Sequence, residues 1–261
     1  MRSLSIAATG MLAQQLNVEV ISNNIANMNT TGFKRQRAEF QDLLYQSQRR
    51  VGSTSSDSGT IVPAGVQIGL GVKTASVYTI NEQGNLQSTE NPLDLAISGG
   101  GFFQISLPTG ETAYTRAGSF QLSPTGQLVS VDGYTVDPAI TIPANAVQIT
   151  VNSSGQVLAQ IAGQVAEQNV GQLTLANFAN PAGLNPVGDN LFLETPASGS
   201  ATSGNPGVTG LGTILQGFLE TSNVNTVSEI TNLITAQRAY EMNSKVIQTS
   251  DEMLSTINRL R

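Results

Sequence analysis

Residues 220–261 read ETSNVNTVSEITNLITAQRAYEMNSKVIQTSDEMLSTINRLR and contain neither glycine nor proline. Leu233, Tyr240, Ile247 and Leu254 recur every seven residues, joined by Ala236, Asn243, Ser250 and Ile257 three positions on. That pattern predicts an amphipathic helix with a coiled-coil-like seam. Thr226-Val227-Ser228-Glu229 has the form of a capping box, which places the helix start there. At 1.5 Å per residue such a helix is roughly 50 Å long, too long for one small globule to bury comfortably.

The opposite end carries the same geometry. Leu4, Met11, Val18 and Ile25 fall at one seam position and Ala7, Gln14, Ile21 and Met28 at the other, before Asn27 to Gly32 suits a helix stop. A second helix is expected over Phe33–Tyr45. Polar residues at seam positions, Gln14, Asn243 and Ser250, fix register at some cost in stability. The two helices are expected to fold onto each other and also onto other copies of the chain.

All ten prolines and 24 of the 26 glycines lie between Val51 and Leu219. Helix breakers are therefore confined to the middle. Gly-Asn/Gln-Leu/Val occurs five times there, at Gly84, Gly126, Gly155, Gly163 and Gly171, each reading as a turn that opens a strand. Short apolar runs at Val147–Val151, Val157–Ile161 and Leu173–Phe178 supply the strands. The fold class expected is α+β: long N- and C-terminal helices form a coiled-coil-like domain with an inserted, mostly antiparallel β-domain. The expected divisions are 1–45 helical, 46–74 an extended linker, 75–215 the outer β-domain and 216–261 the C-terminal helix. Ala197–Gly212 is a second Ser/Gly-rich linker candidate.

Composition narrows the function. The chain has no histidine, cysteine or tryptophan, which removes the usual nucleophile triads, thiolate chemistry, disulfides and ordinary zinc sites. Only 11% of residues are charged and the net charge is −6, against about a quarter charged in an average soluble chain. Such a surface suits wide polar self-contact and does not suit nucleic acid. Ser98-Gly99-Gly100-Gly101 lacks the lysine and hydroxyl of a phosphate loop, and reads as a backbone bend before a strand. Gly69-Leu70-Gly71-Val72 is too short to mean a nucleotide. Glu90 with Asp94, and Asp132 with Asp137, read as solvated turn residues. The expectation is a structural protein, not an enzyme, with no cofactor, no metal, no nucleic acid and no membrane insertion; no run approaches 18 apolar residues.

The ends then become specific. ISNNIANMNTTGFK at residues 21–34 resembles the N-terminal signature of the bacterial flagellar axial proteins of the rod and hook, carried here by Asn24, Asn27, Gly32 and Phe33. Ser222-Asn223-Val224-Asn225 and QRAYEMNSK from Gln237, Arg238 and Tyr240 onward resemble the family's other end. Pro92–Ile97, Ala113–Phe120 and Val170 onward are similar to the distal-rod members. The resemblance implies a drive-shaft subunit of the basal body crossing the periplasm. It would be exported by the flagellar type III apparatus without a cleaved signal, and would assemble helically around a channel. The implied partners are further copies, proximal rod proteins, the hook protein, the P- and L-ring proteins and a rod cap. The alternatives are a proximal rod or hook subunit, or a monomeric β-rich secreted binding module.

Overall fold

The computed structural model describes residues 2–49, 64–164 and 166–259. The chain divides into two compact units, each interrupted in sequence. One contains both terminal helices, α1 (Arg2–Ala26, up to Ile25) and α2 (Thr226–Arg259), with the stretch between Gln36 and Tyr78. The other contains Ala26–Arg35 and Thr79–Asn225.

In the helical unit, β1 (Gln36–Asp42) pairs with β4 (Val72–Thr79), and β2 (Tyr45–Arg49) with β3 (Val66–Gly69), antiparallel. Leu43 N–H donates to Gly71 O and Leu70 N–H to Leu44 O, so one ladder runs through both pairs. Thr9 Oγ1 on α1 accepts the Val72 N–H at 3.3 Å. Gly71, at φ +123, is where a Cβ would fall 2.2 Å from that hydroxyl, so only glycine lets the ribbon approach the helix here.

Two expectations are corrected by this ribbon. The helix expected over Phe33–Tyr45 is a strand. Gln36, Ala38 and Phe40 are half-buried while Arg37, Glu39 and Gln41 face out, a period of two that a seven-residue window does not separate from a helical one. The 46–74 linker is paired strand over 46–49, 66–69 and 72–74, and residues 50–63 of it lie outside the described residues.

The β-built unit has a nine-stranded sheet around Phe102–Ser106. That strand pairs with Thr112–Thr115 on one edge, and on the other with Leu175–Asn177 and Thr135–Val136. Ala146–Val151, Gln156–Ile161 and Gln168–Gln172 form a second, three-stranded antiparallel sheet, matching two of the apolar runs. Leu95, Ile97, Phe103, Ile105, Leu175 and Ile214 are 1% exposed or less and make the main core. Each contributes about 1.5–3 kcal/mol by leaving water. Phe102, Tyr114, Phe178 and Phe192 make a second cluster with edge-on rings, Tyr114 and Phe178 centred 4.7 Å apart. The expected 197–212 linker belongs to this unit: Thr202–Gly204 pairs with Leu175–Asn177, and Ser198 is fully buried. Of the five turn glycines, Gly126, Gly155 and Gly163 have positive φ. Gly171 instead lies inside a strand, and Gly84 is held close to Thr221 O.

Candidate self-assembly site

α1 and α2 meet in antiparallel register. Ser250 Oγ lies 3.3 Å from Ser3 Oγ, a Cβ on Gly10 would stand 2.9 Å from Asn243 Nδ2, and Asn24 Nδ2 donates to Glu229 Oε2 at 3.4 Å. As the chain runs from Ser3 to Gly10 on α1, the partner steps back by the same seven residues on α2. The contacts are small or polar because the helices approach too closely for large side chains.

The seam on α1 is displaced by one residue from the expected one. Leu4, Met11, Val18 and Ile25 are half-buried, and of the expected positions only Ala7 and Ile21 are buried. Ser3, Gly10 and Asn24, each one residue earlier, make the contacts named above. Met28 lies beyond the helix and is exposed. On α2 the expected phase holds for Ala236 and Ser250, which are buried, and for Leu233, Asn243, Ile247 and Leu254, which are half-buried. Tyr240 (44% exposed) and Ile257 (56%) are open in the single chain, a correction to their placement in an intramolecular seam.

Asn24 ties three elements of this unit together. Its Oδ1 accepts the Gln36 N–H and its Nδ2 donates to the Gln36 carbonyl, both at 2.8 Å, while Nδ2 also reaches Glu229. One buried amide therefore joins α1, β1 and the start of α2. Asn24→Ala leaves the Gln36 backbone groups and Glu229 without these partners, and about 2 kcal/mol of stability is expected to go. Urea titration of the purified chain, followed by helical circular dichroism, checks this; a loss below about 0.5 kcal/mol would show the amide to be dispensable.

Asn27, Gly32, Phe33 and Asn223 belong to the other unit. Asn27 Oδ1 accepts Thr30 Oγ1–H in the turn after α1. Gly32, buried at φ +70, would put a Cβ 2.7 Å from Ala117 N; its own N–H donates to Glu220 O at 2.8 Å. Phe33 is half-buried. Asn223 Oδ1 accepts the Arg35 N–H at 2.7 Å, and its Nδ2 donates to the carbonyls of Ile80 and Glu82. Asn225 immediately precedes α2, and Gln237 and Arg238 are exposed on it.

At the centre of these contacts lies an ion cluster that the sequence reading missed. Lys34 Nζ donates to Glu220 Oε1 at 2.5 Å and to Glu82 O at 2.7 Å. Arg116 Nε stands 3.4 Å from Glu220 Oε2, and its Nη2 donates to Gly99 O. Gly84 N–H also donates to Glu220 Oε1 at 2.8 Å, whereas Glu220 Oε2 faces Arg116 without a hydrogen bond. All three side chains are at most 5% exposed. Burial pulls the Lys34 pKa below its ordinary value, and Glu220 draws it back up; Arg116 is lowered in the same way. One signal was available: residues 51–219 hold only two basic side chains, Lys73 and Arg116. Arg116 sits in an apolar, small-residue setting where a charge needs a partner. Nothing in the sequence marks Glu220 as that partner.

Among the described residues no group of three or more potential metal-ligating side chains occurs, and no helix is long and apolar enough to cross a membrane.

Three family models match. Residues 4–34 match the flagella basal body rod protein model, 96–159 the flagellar hook protein FlgE/F/G D1 domain, and 215–260 the flagellar basal body rod FlgEFG protein C-terminal model. At full length the chain is 63% identical to the flagellar basal-body rod protein FlgG of Caulobacter vibrioides, covering all of both chains. It is 57% identical to that of Agrobacterium fabrum over 99% of each. Identity to that of Bacillus subtilis is 42%, over 100% of this chain and 99% of the relative. The chain belongs to the FlgG family of flagellar basal-body rod proteins. It is accordingly a structural subunit of the distal rod.

Proposed function

We propose that this subunit assembles helically with copies of itself around an export channel and carries torque from the motor to the hook. The supporting observation is the outer surface of α2, where Ile230, Ile234, Met242, Val246, Met253 and Ile257 are all 44–62% exposed. A soluble helix does not ordinarily leave six large apolar side chains in water. Burying them against neighbouring copies gives assembly its driving force. The scarcity of catalytic residue types fits a structural subunit. Proximal rod proteins, the hook, the two ring proteins and a cap are the partners this role requires. Delivery by the flagellar type III apparatus, without a cleaved signal, belongs to the same reading.

Electron cryotomography of cells lacking the gene tests the role. The expected image is a short proximal rod with no distal shaft and no hook. A complete rod without a hook would move the protein to the hook, and rotating flagella would end the assignment. Complementation with a chain ending at Asn225 is expected to leave the basal body equally short, since that cut removes α2 at a unit boundary.

A further inference from the structure

We propose that the Gln216 side chain plugs the free edge of the three-stranded sheet and keeps the Ala146–Val151 strand from pairing with the same strand of a second copy. Ala146–Val151 is outermost in that sheet and pairs with Gln156–Ile161 on one side only. Along a strand, successive residues turn their N–H and C=O groups alternately to one edge and the other. Asn152 N–H donates to Gln156 O at 3.1 Å, which puts the backbone groups of Asn152 and Thr150 on the paired side. Those of Ile149 and Val151 therefore face the open edge, which is a template for pairing with another chain.

Gln216 occupies that template. It ends Thr213–Gln216, a strand of a different sheet. Its Oε1 accepts the Val151 N–H at 3.0 Å, while its Nε2 donates to Ile149 O at 2.9 Å. A side-chain amide carries an acceptor and donors together, so this one group presents what a residue of an incoming strand would present. Nε2 also donates to Pro92 O at 2.8 Å, which tethers the amide. The strand is irregular beyond the plug. Ala146 pairs with Ile161 and Gln148 with Gln160, so Val147 between them has no partner residue in the ladder and is 73% exposed. A bulge of this kind bends an edge away from regular pairing.

This edge has no charge to guard it. From Pro138 to Ala166 the sequence contains no charged residue, whereas sheet edges are commonly protected by charged side chains, lysine above all. AVQITV at 146–151 combines high β-propensity with no charge, no proline and no glycine, the composition of segments that stack into cross-β arrays. A second copy brings the same uncharged strand and meets no electrostatic repulsion. The plug acts within the single chain, so it stands whether or not copies assemble through their helices.

Hydrogen exchange and sedimentation of the full-length chain test this, at a concentration where the wild type is monomeric. Gln216→Leu keeps an apolar side chain of similar bulk and removes both edge hydrogen bonds. In dilute solution its Val151 amide is expected to exchange at least tenfold faster than in the wild type. At the working concentration it should form dimers and larger species in which residues 147–151 become protected. Q216L/V147K, with a lysine at the exposed bulge, should keep the fast Val151 exchange yet stay monomeric, because charge blocks the edge without restoring the bonds. Should Q216L not fold, Q216N, one carbon too short to reach both groups, is read in the same way. Unchanged exchange at Val151 would overturn the plug. So would a variant that exchanges fast but stays monomeric, or one whose association survives V147K.

Discussion

Glu220→Gln is expected to cost the β-built unit about 3–5 kcal/mol, the usual penalty for stranding buried charge. The carboxylate serves Lys34 and Arg116 together, and both cations are almost fully enclosed. A neutral amide of the same shape leaves two positive charges facing each other without solvent. Folded domains hold only about 5–15 kcal/mol in total, so this change removes a large share. Urea unfolding of the full chain, read by the near-ultraviolet signal of the Phe102, Tyr114, Phe178 and Phe192 cluster, measures it. A loss under about 1 kcal/mol would show that the cluster is not electrostatically coupled. A triple variant, K34M/R116L/E220L, should recover most of the loss, because well-packed apolar replacements for buried ions are commonly neutral or better.

The same cluster sets a sign for alkaline behaviour. Folding lowers the Lys34 pKa below 10.5, so the unfolded chain holds that proton more tightly. Stability from this group alone therefore rises with pH between the folded value and 10.5, and is flat below that window. K34M should lose that slope, visible as the difference between the two proteins' stability curves from neutral pH upward. A slope of the opposite sign would mean that the ion pair outweighs burial.

Gly118→Ala is expected to be nearly as severe, for steric reasons. A Cβ at residue 118 would stand 1.6 Å from the Leu95 carbonyl oxygen and 3.4 Å from the Phe103 ring. That carbonyl is backbone, and the Leu95 N–H already donates to Gly118 O at 2.9 Å. Neither chain can withdraw without opening the core around Leu95 and Phe103. Overpacking of this kind costs about 3 kcal/mol, the upper end of the usual range. Gly100→Ala is the control, since its Cβ would meet nothing closer than 3.6 Å and its φ is not positive. Thermal unfolding of both variants should separate them by roughly 10 °C, taking a few degrees per kcal/mol. Equal melting temperatures would mean that the close approach at Gly118 is relieved cheaply.

Much of the fold could be read in one dimension because its signals are local. Absence of glycine and proline over residues 220–261 gave α2, and its observed start at Thr226 is where the capping signature put it. Alternating runs between turns gave Ala146–Val151 and Gln156–Ile161 to within a residue. The stretch after Phe33 misled because RAEFQ satisfies both periods. What settles it is pairing with Val72–Thr79, more than thirty residues away. The phase of the α1 seam misled for a related reason. Heptad spacing puts Leu4, Met11, Val18 and Ile25 on the contact line, whereas the closeness of the helices selects Ser3, Gly10 and Asn24 and leaves those four half-buried beside it.

The sequence alone determined the helical ends, the β-built middle, the lack of histidine and cysteine, and the motifs that place the chain in its family. Each depends on residue type, or on spacing within a few turns. Tertiary structure alone decided that Ala26–Arg35 folds with the β-built unit, that Lys34, Arg116 and Glu220 share one buried site, and which face of α2 stays open. Those facts join positions 34, 116 and 220, separated by scores of residues. No local periodicity reports such a meeting, because what selects it is the free energy of burying charge only where its counter-charge is brought by the rest of the chain.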